Sequence, residues 1–189
     1  TALMATLQPG ARLDVLCSLG NGFDIDIPAL SRPDVPTIAC FDVPALTRPL
    51  LVGGGIGTAP LYLLARRLKE RGVSPTVILG FNTASEIIYE KEFKALGLRT
   101  LVTTVDGSYG TPGFVTAALP LLASVSDSSS VADSGYDYCY ACGPMPMLRA
   151  LAPKLASPAQ FSLEERMGCG TGICMGCTCP QLTGTKRIC

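Results

Sequence analysis

The last 21 residues of the chain hold five of its nine cysteines. Three of them share one glycine-rich loop with the spacing C-x4-C-x2-C, and a fourth follows after eleven further residues. This is the plant-type spacing for a [2Fe–2S] cluster, in which four thiolates hold the irons. Glycines between the ligands let backbone N–H groups point at the sulfides. The pattern therefore predicts a [2Fe–2S] cluster bound by Cys169, Cys174, Cys177 and Cys189.

The main alternative for these cysteines is a zinc ion with four thiolate ligands. Such zinc sites use two separate C-x2–4-C pairs, whereas here three ligands lie in a single loop. The chain has no histidine, which excludes a Rieske cluster and any histidine-containing metal site. Cys179 is predicted to be a buried strand residue, and Cys17, Cys40 and Cys139 are predicted to be small buried apolar residues.

A glycine-rich run, Gly53–Pro60, directly follows an apolar segment and precedes a helical pattern. Glycines let a ligand approach the backbone, and a helix N-terminus offers unpaired N–H groups with a positive dipole end. The spacing differs from Gly-x-Gly-x-x-Gly, so a tight strand–helix turn without a ligand is the alternative. We expect the run to bind a diphosphate group through Gly53, Gly54, Gly55, Gly57 and Thr58.

A second loop with binding character is Cys142-Gly143-Pro144, again between a strand and a helix. Ligands of open α/β sheets bind at the carboxyl ends of the strands. Two such loops on one sheet would face one crevice, so Cys142, Gly143 and Pro144 are candidate cofactor-binding residues. The alternative for Cys142 is a buried structural cysteine at a helix start.

These loops need a parallel sheet to position them, and the middle of the chain alternates strand and helix patterns. Continuous apolar runs are typical of strands buried on both faces, and apolar residues at helical spacing fall between them. Such alternation implies βαβ crossovers and an α/β fold. The predicted strands are Leu50–Val52, Thr76–Phe81, Leu98–Val105 and Tyr136–Ala141, and the predicted helices are Ala59–Arg71, Ser85–Leu96, Phe114–Ala123 and Met145–Leu155.

Four segments divide the chain. Residues 1–27 look like the end of a β-unit with too few strands to bury its own face, so we expect further strands upstream. Residues 28–49 are a proline-rich linker, with a short strand at Thr37–Phe41. Residues 50–160 form the α/β domain, and residues 161–189 form the cysteine-rich domain.

Composition excludes several functions. Fifteen basic and fifteen acidic residues cancel, so no global field favours nucleic acid or acidic lipid. No apolar run reaches the ~18 residues of a membrane span, and clustered thiols indicate a reducing compartment. We therefore expect a cytoplasmic protein that binds neither nucleic acid nor membrane. Without histidine, Ser-His-Asp and Cys-His catalysis are excluded.

Together, the motifs resemble a known family. Gly53–Leu61, Cys142–Met147 and above all Ser162–Cys169 are similar to the electron-transfer subunit of NAD-dependent dihydroorotate dehydrogenase, in the ferredoxin reductase superfamily. Leu19–Phe23 resembles the turn between the flavin barrel and the nucleotide domain of that family. The resemblance covers essentially the whole chain.

The resemblance implies a ferredoxin-reductase-like fold: a β-barrel for FAD, a parallel-sheet domain for NAD(H) and a small carboxyl-terminal [2Fe–2S] domain. Most of the barrel would lie upstream of Thr1, which matches a threonine near the FAD diphosphate. Arg187–Cys189 matches the last cluster ligand and its approach. The implied fold is therefore a barrel remnant, a nucleotide domain and a cluster domain.

The implied function is an electron relay in pyrimidine biosynthesis, with no catalytic side chain of its own. Electrons would pass between NAD and the FMN of a dihydroorotate dehydrogenase catalytic subunit through FAD and [2Fe–2S], within a heterotetramer. The cysteine loop would face that partner, with Ile173 and Met175 as candidates for contact. The alternative is that both side chains pack over the cluster. The alternatives are a flavin/iron–sulfur subunit of a hydrogenase or a ferredoxin:NAD(P) reductase, and a non-enzymatic iron–sulfur fragment without flavin.

Overall fold

A computed structural model describes residues 6–12, 22–25, 46–122, 135–163, 168–174, 176–181 and 184–187. The chain forms two compact units. The larger is Phe23–Glu164, and the smaller combines Thr1–Gly22 with Glu165–Cys189. Within the described residues, no helix is long and apolar enough to cross a membrane.

The larger unit is built on a six-stranded sheet with the order β4-β3-β2-β1-β5-β6, in which every pairing is parallel. This sheet confirms the predicted α/β class. Its strands are β1 (Pro49–Gly54), β2 (Thr76–Phe81), β3 (Thr100–Thr104), β4 (Thr111–Pro112), β5 (Tyr138–Cys142) and β6 (Ala159–Ser162).

In the part of the chain that the structure describes, three α-helices and several short 3-10 turns connect the strands. The helices are α1 (Thr58–Glu70), α2 (Glu90–Ala95) and α3 (Met145–Leu151). The 3-10 turns are Gly55–Gly57, Ala84–Glu86, Val115–Ala117, Leu119–Leu121 and Ala152–Lys154. The helices predicted at 59–71 and 145–155 are confirmed within two residues at their starts and a few residues at their ends.

Both faces of the sheet are covered, because alternate residues of a strand point to opposite faces. In β1, Leu51 packs on one face together with Leu61 and Leu68 of α1. Leu50 and Val52 pack on the other face, where Leu148 belongs to the same cluster. All six residues of β1 are buried, which explains why its sequence lacks the apolar–polar alternation of a half-exposed strand.

The helix predicted at 85–96 is wrong in its first half. A 3-10 turn occupies Ala84–Glu86, and helix α2 begins only at Glu90. Between them, Tyr89 has a φ of 63°, in the left-handed region, which no α-helix can contain. Its ring lies 5.3 Å from that of Tyr62. Packing on α1 therefore accompanies a backbone conformation that ends the predicted helix.

The helix predicted at 114–123 is also wrong, since two 3-10 turns replace it. Val115 packs so closely over Gly80 that a Cβ there would collide with its side chain. Pro120 follows five residues after Val115, in the second turn, and it lacks the N–H that an α-helix would use.

Two strands were missed. β4 has only two residues, too few for any periodicity, and β6 is half-buried with the mixed sequence AQFS. Because β6 continues to Ser162, the sheet crosses the boundary placed between residues 160 and 161. The domain limits as a set stay a prediction.

The first two residues of the larger unit lie against the far edge of the sheet. Gln160 accepts a hydrogen bond from the Asp24 N–H at 2.9 Å, and the Tyr140 hydroxyl donates to the Asp24 carbonyl at 2.9 Å. The Phe23 ring meets Tyr140 edge-on at 5.4 Å. These contacts fix the segment Phe23–Ile25, with the Arg71 guanidinium donating to the Ile25 carbonyl.

The smaller unit contains the cysteine loop and an antiparallel hairpin, β7 (Thr178–Gln181) and β8 (Gly184–Arg187). The hairpin confirms that Cys179 is a strand residue, and its side chain is half-buried. Several predictions lie outside the described residues: Thr1, Cys17, Cys40, the strand at Thr37–Phe41, Met175 and Cys189. The barrel remnant at 1–27 lies largely outside them too and stays a prediction.

Candidate functional site

The glycine run lies at the carboxyl end of β1, the central strand that pairs with both β2 and β5. Gly53 and Gly54 end the strand, a 3-10 turn covers Gly55–Gly57, and α1 begins at Thr58. Gly55 has a φ of 53°, and a Cβ there would meet nothing within 4 Å. A diphosphate that binds to backbone N–H groups needs open space beside them, and the backbone of Gly55 has such space.

The other glycines of the run serve packing. A Cβ at Gly53 would lie 3.0 Å from the Thr58 hydroxyl oxygen. A Cβ at Gly57 would collide with the carbonyl oxygen of Cys142, and one at Gly54 would collide with the Met147 sulfur. Close packing therefore explains why Gly53 and Gly57 are glycines, whereas Gly55 has open space beside it, and the binding role of the run stays a prediction.

The two predicted loops meet. Gly57 lies against the Cys142 carbonyl, and Gly143, with a φ of 157°, lies against Gly54, whose N would be 3.1 Å from a Gly143 Cβ. The structure therefore brings the candidates Gly54, Gly57, Cys142 and Gly143 together at one edge of the sheet. This is expected for two loops that follow adjacent parallel strands.

A cleft of about 330 Å³ opens at this edge and runs over the ends of β1, β2 and β3. Its walls are largely apolar and include Phe114, Val105 and Met147, and Gly54, Gly55 and Pro144 line it as well. Phe114 is 67% exposed. An apolar crevice with few polar groups at a strand-end edge is the usual shape of a cofactor site.

The β2 end adds polar groups that sequence reasoning missed. The Glu86 carboxylate accepts hydrogen bonds from the backbone N–H and side-chain amide of Asn82, at 3.1 and 3.0 Å. Ser108 accepts from the Ala84 N–H at 2.8 Å and donates to Asp106 at 2.6 Å. Hydrogen bonds from Ser108 hold the pKa of Asp106 below its usual value. The loops after β2 and β3 are therefore fixed to each other beside the cleft.

Two buried hydroxyls near this edge are more easily explained by a bound ligand than by the fold alone. Among the described residues, Thr58 Oγ1 and Thr103 Oγ1 are buried and have no hydrogen-bond partner. A buried hydroxyl without a partner is costly, so such atoms indicate groups that the bound state supplies. With the open backbone of Gly55 and the apolar cleft, these residues fit a nicotinamide dinucleotide.

The cysteine loop brings two of its predicted ligands together. The backbone N–H of Cys174 donates to Cys169 Sγ at 3.5 Å. This bond, with others from Thr171, lowers the pKa of the Cys169 thiol to about 5. A thiolate that accepts backbone N–H bonds is the form in which cysteine binds metal.

Small residues crowd around the second ligand. Cβ atoms at Gly168 and Gly176 would each lie 3.5 Å from Cys174 Sγ, and Gly170 and Gly172 have φ values of 70° and 85°. A side chain at either of the first two positions would therefore touch the sulfur. The glycine-rich character of the loop thus has a local cause, and the soft thiol donors fit an iron–sulfur cluster.

Of the other two predicted ligands, Cys177 and Cys189, the structure describes the first. Cys177 is buried at 2% exposure just before β7, and β8 ends at Arg187, two residues before Cys189. Arg187 pairs with Thr178, so the chain returns beside Cys177 shortly before Cys189. In the described part of the chain, no three cysteines or carboxylates form a metal-binding group, and the four-ligand set stays a prediction.

Cys139, on β5, lies in the sheet interior and has no place in either site. It is completely buried, and burial raises the pKa of its thiol to about 12. This confirms its predicted role as a small buried apolar residue. Cys142 is also buried, at 2% exposure, but its carbonyl forms the contact between the two loops.

Two family models match the chain. The oxidoreductase NAD-binding domain matches residues 51–152, and the iron–sulfur cluster binding domain of dihydroorotate dehydrogenase B matches residues 164–189. The first covers strands β2 to β5, most of β1 and both loops of the cleft. The second covers all four predicted cluster ligands.

Curated relatives agree with these matches. The electron transfer subunit of dihydroorotate dehydrogenase B (NAD⁺) from Bacillus caldolyticus is 46% identical over 193 residues, covering 100% of this chain and 65% of that protein. Its counterpart from Fusobacterium nucleatum is 41% identical, covering 96% of this chain and 61% of that protein. The chain therefore spans somewhat less than two thirds of the relatives it matches.

A solved structure resembles the whole chain. It is an NADH-dependent reduced ferredoxin–NADP oxidoreductase studied for flavin-based electron bifurcation, with a TM-score of 0.72 and 31% identity. The match covers 100% of this chain and 59% of that one. Because the NAD-binding model matches more than half of a chain whose cleft and loops fit a dinucleotide, this protein belongs to the oxidoreductase NAD-binding domain family and carries the iron–sulfur binding domain of dihydroorotate dehydrogenase B at its carboxyl end.

Proposed function

We propose that this protein is the electron-transfer subunit of a dihydroorotate dehydrogenase B, acting in pyrimidine biosynthesis. When bound, NAD(H) carries electrons in pairs, FAD exchanges pairs for single electrons, and the [2Fe–2S] cluster passes electrons singly. The observation that carries the proposal is that the same chain has an apolar cleft beside the glycine-rich loop and a cysteine loop that matches the iron–sulfur domain of dihydroorotate dehydrogenase B. The names of relatives at 41–46% identity support it.

The chain's own residues bind and orient. The open backbone of Gly55 and the start of α1 at Thr58 receive the dinucleotide diphosphate. The second loop, Cys142–Pro144, forms the opposite side of the approach, since Gly143 lies against Gly54. The apolar wall excludes water from the bound ring. Gly54 and Gly57 let the two loops lie at contact distance.

Among the described residues that line the cleft, we assign no side chain a role as proton donor or acceptor. Of the cleft residues, the described carboxylate is Glu86, and it already accepts two hydrogen bonds from Asn82. This agrees with a chain that positions redox groups and leaves their chemistry to them, so no catalytic side chain is proposed. In the smaller unit, Cys169, Cys174, Cys177 and Cys189 would hold the cluster.

The remaining parts of the assembly follow from the same proposal. FAD would bind a β-barrel whose threonine near the diphosphate is Thr1. The partner would be the FMN-containing catalytic subunit, in a heterotetramer. A cytoplasmic location follows from the four reduced thiols that the cluster needs.

Co-expression of the full-length protein with an FMN-containing dihydroorotate dehydrogenase catalytic subunit tests the proposal. The anaerobically purified complex should reduce NAD⁺ with dihydroorotate, as followed by NADH absorbance, and the electron-transfer chain alone should not oxidise dihydroorotate. A complex that forms and holds FMN, FAD and iron, yet reduces no NAD⁺, would contradict the proposal.

A second candidate is a flavin/iron–sulfur subunit of a ferredoxin:NAD(P) reductase. It is favoured by the solved oxidoreductase that matches the whole chain at 31% identity. An assay with reduced ferredoxin as the electron donor distinguishes the two candidates. A ferredoxin reductase subunit would pass electrons from reduced ferredoxin to NAD(P)⁺, whereas a dihydroorotate dehydrogenase subunit would require dihydroorotate as the donor.

A further inference from the structure

Thr103 lies at the carboxyl end of β3 and lines the cleft. The residue is completely buried, and its hydroxyl oxygen has no hydrogen-bond partner among the described residues. The neighbouring residue on β2 is Gly80, and a Cβ there would lie 3.4 Å from this oxygen. Gly80 has no side chain of its own to cover the hydroxyl, and the Val115 side chain occupies the adjacent space instead.

Among the described residues, two other buried polar atoms also lack a hydrogen-bond partner, but they do not line the cleft. Thr58 Oγ1 lies beside Gly53 at the start of α1, inside the glycine run. Asp137 Oδ1 belongs to a carboxylate whose other oxygen accepts three hydrogen bonds from Thr47 and Arg48 before β1. Of the three, Thr103 is the one that lines the cleft.

A partnerless hydroxyl is a poor choice for a purely structural position. Valine has nearly the same shape, and it would fill the space without burying an unsatisfied donor and acceptor. The hydroxyl therefore indicates a polar group that is present when the cleft is occupied.

The position of Thr103 identifies the part of the ligand. β3 is two strands from β1, about 10 Å at the usual strand spacing, which a ribose and a base can span from a diphosphate at Gly55. Val115 packs over this end of the cleft, close to Gly80. A redox-active ring must meet another redox group, so an enclosed end does not suit it.

We propose that Thr103 is an affinity-determining residue for the adenosine half of the dinucleotide, with its hydroxyl hydrogen-bonded to the bound nucleoside. The inference rests on the proposed function, because it assumes that the cleft binds NAD(H). The hydroxyl oxygen has almost no accessible surface in this structure. The proposed contact therefore requires a small displacement of the side chains that cover it, such as Val115 beside Gly80.

Isothermal titration of the full-length protein with ADP-ribose, which has the adenosine and diphosphate but no nicotinamide, tests this role. Thr103→Val should weaken ADP-ribose and NADH binding by about 3- to 10-fold, the effect of one hydrogen bond. The melting temperature of the ligand-free variant should stay equal or rise. Thr103→Ser, which keeps the hydroxyl, should restore binding. Thr100→Val, at the other end of β3, removes a hydroxyl bonded to the Leu98 carbonyl and should leave both affinities unchanged.

Several results would overturn the inference. Wild-type affinity for ADP-ribose in folded Thr103→Val would mean that the hydroxyl makes no contact. Weakened NADH binding with unchanged ADP-ribose binding would place it on the nicotinamide half. If Thr103→Val does not fold, Thr103→Ala against Thr103→Ser makes the same comparison. A wild-type protein that binds neither ligand would instead contradict the proposed function.

Discussion

Gln160 on β6 lies directly beside Tyr140 on β5, and both side chains hold the backbone of Asp24. Gln160 accepts from the Asp24 N–H and donates to the Asp24 carbonyl at 3.3 Å, while Tyr140 donates to the same carbonyl. One backbone residue is thereby fixed by three hydrogen bonds from two neighbouring strands. These side-chain bonds fix the segment Phe23–Ile25 beside strands β5 and β6.

Replacing Gln160 by Leu should lower the free energy of unfolding by about 1–3 kcal/mol, because the part-buried Asp24 N–H loses its acceptor. Urea denaturation measures the change. The same substitution at Gln8, which is exposed, should alter stability by no more than about 0.5 kcal/mol. Equal stability of the two variants would show that the Asp24 contact contributes nothing.

Gly57→Ala and Gly55→Ala should differ in a predictable way. The alanine at Gly57 would collide with the Cys142 carbonyl and push the two loops apart, whereas the alanine at Gly55 meets nothing. Its cost is the left-handed φ alone, about 1–2 kcal/mol. Thermal unfolding should therefore show the larger loss for Gly57→Ala, and NADH titration should show weaker binding for that variant. A smaller loss at Gly57 would mean that the loops separate easily.

Cys174→Ser should abolish the cluster, since it replaces a soft thiolate ligand by a hard, poorly ionised hydroxyl. Iron analysis and the EPR signal of the reduced protein report the outcome. Cys179→Ser, five residues on in β7, is the matched control and should keep both irons. Retained iron in the first variant, or its loss in the second with Cys189→Ser unaffected, would show that the ligand set is wrong.

Ile173→Glu should weaken co-purification with the FMN-containing catalytic subunit while the visible spectrum of the cluster is retained. Ile173 is 84% exposed in the cysteine loop, and a large exposed apolar side chain is typical of an interaction surface. Leu63→Glu, at a 56% exposed position on α1, is the control and should leave the complex intact. Normal assembly of the Ile173 variant would place the interface elsewhere.

Strands β1 and β2 were predictable because burial on both faces leaves continuous apolar runs. Leu50–Val52 and Thr76–Phe81 show this pattern, and both are strands. The helices at 85–96 and 114–123 were not, because their apolar spacing reflects packing of irregular segments. Tyr89 adopts a left-handed backbone, and Val115 fits over a glycine on another strand. Neither condition is visible within the segment itself.

The candidate site divides in the same way. The glycine run and the Cys142 loop could be placed at one edge from strand order alone, since parallel strands end together. The partnerless hydroxyl of Thr103 and the contact of Gly54 with Met147 depend on three-dimensional proximity across different strands. A threonine in an apolar strand carries no signal of its missing partner. The sequence therefore predicted that the two loops lie at one edge of the sheet, but not these contacts between strands.

The strand order β4-β3-β2-β1-β5-β6 also affects how the chain folds during synthesis. β1 can pair with β2 once residue 81 has emerged from the ribosome. The other edge of β1 stays unpaired until β5, which ends at Cys142, has emerged as well. Until then an entirely apolar strand has an open edge, which is a template for aggregation. Ribosomes stalled between these points should therefore hold nascent chains that recruit chaperones, and release from chaperones should follow translation of Tyr138–Cys142.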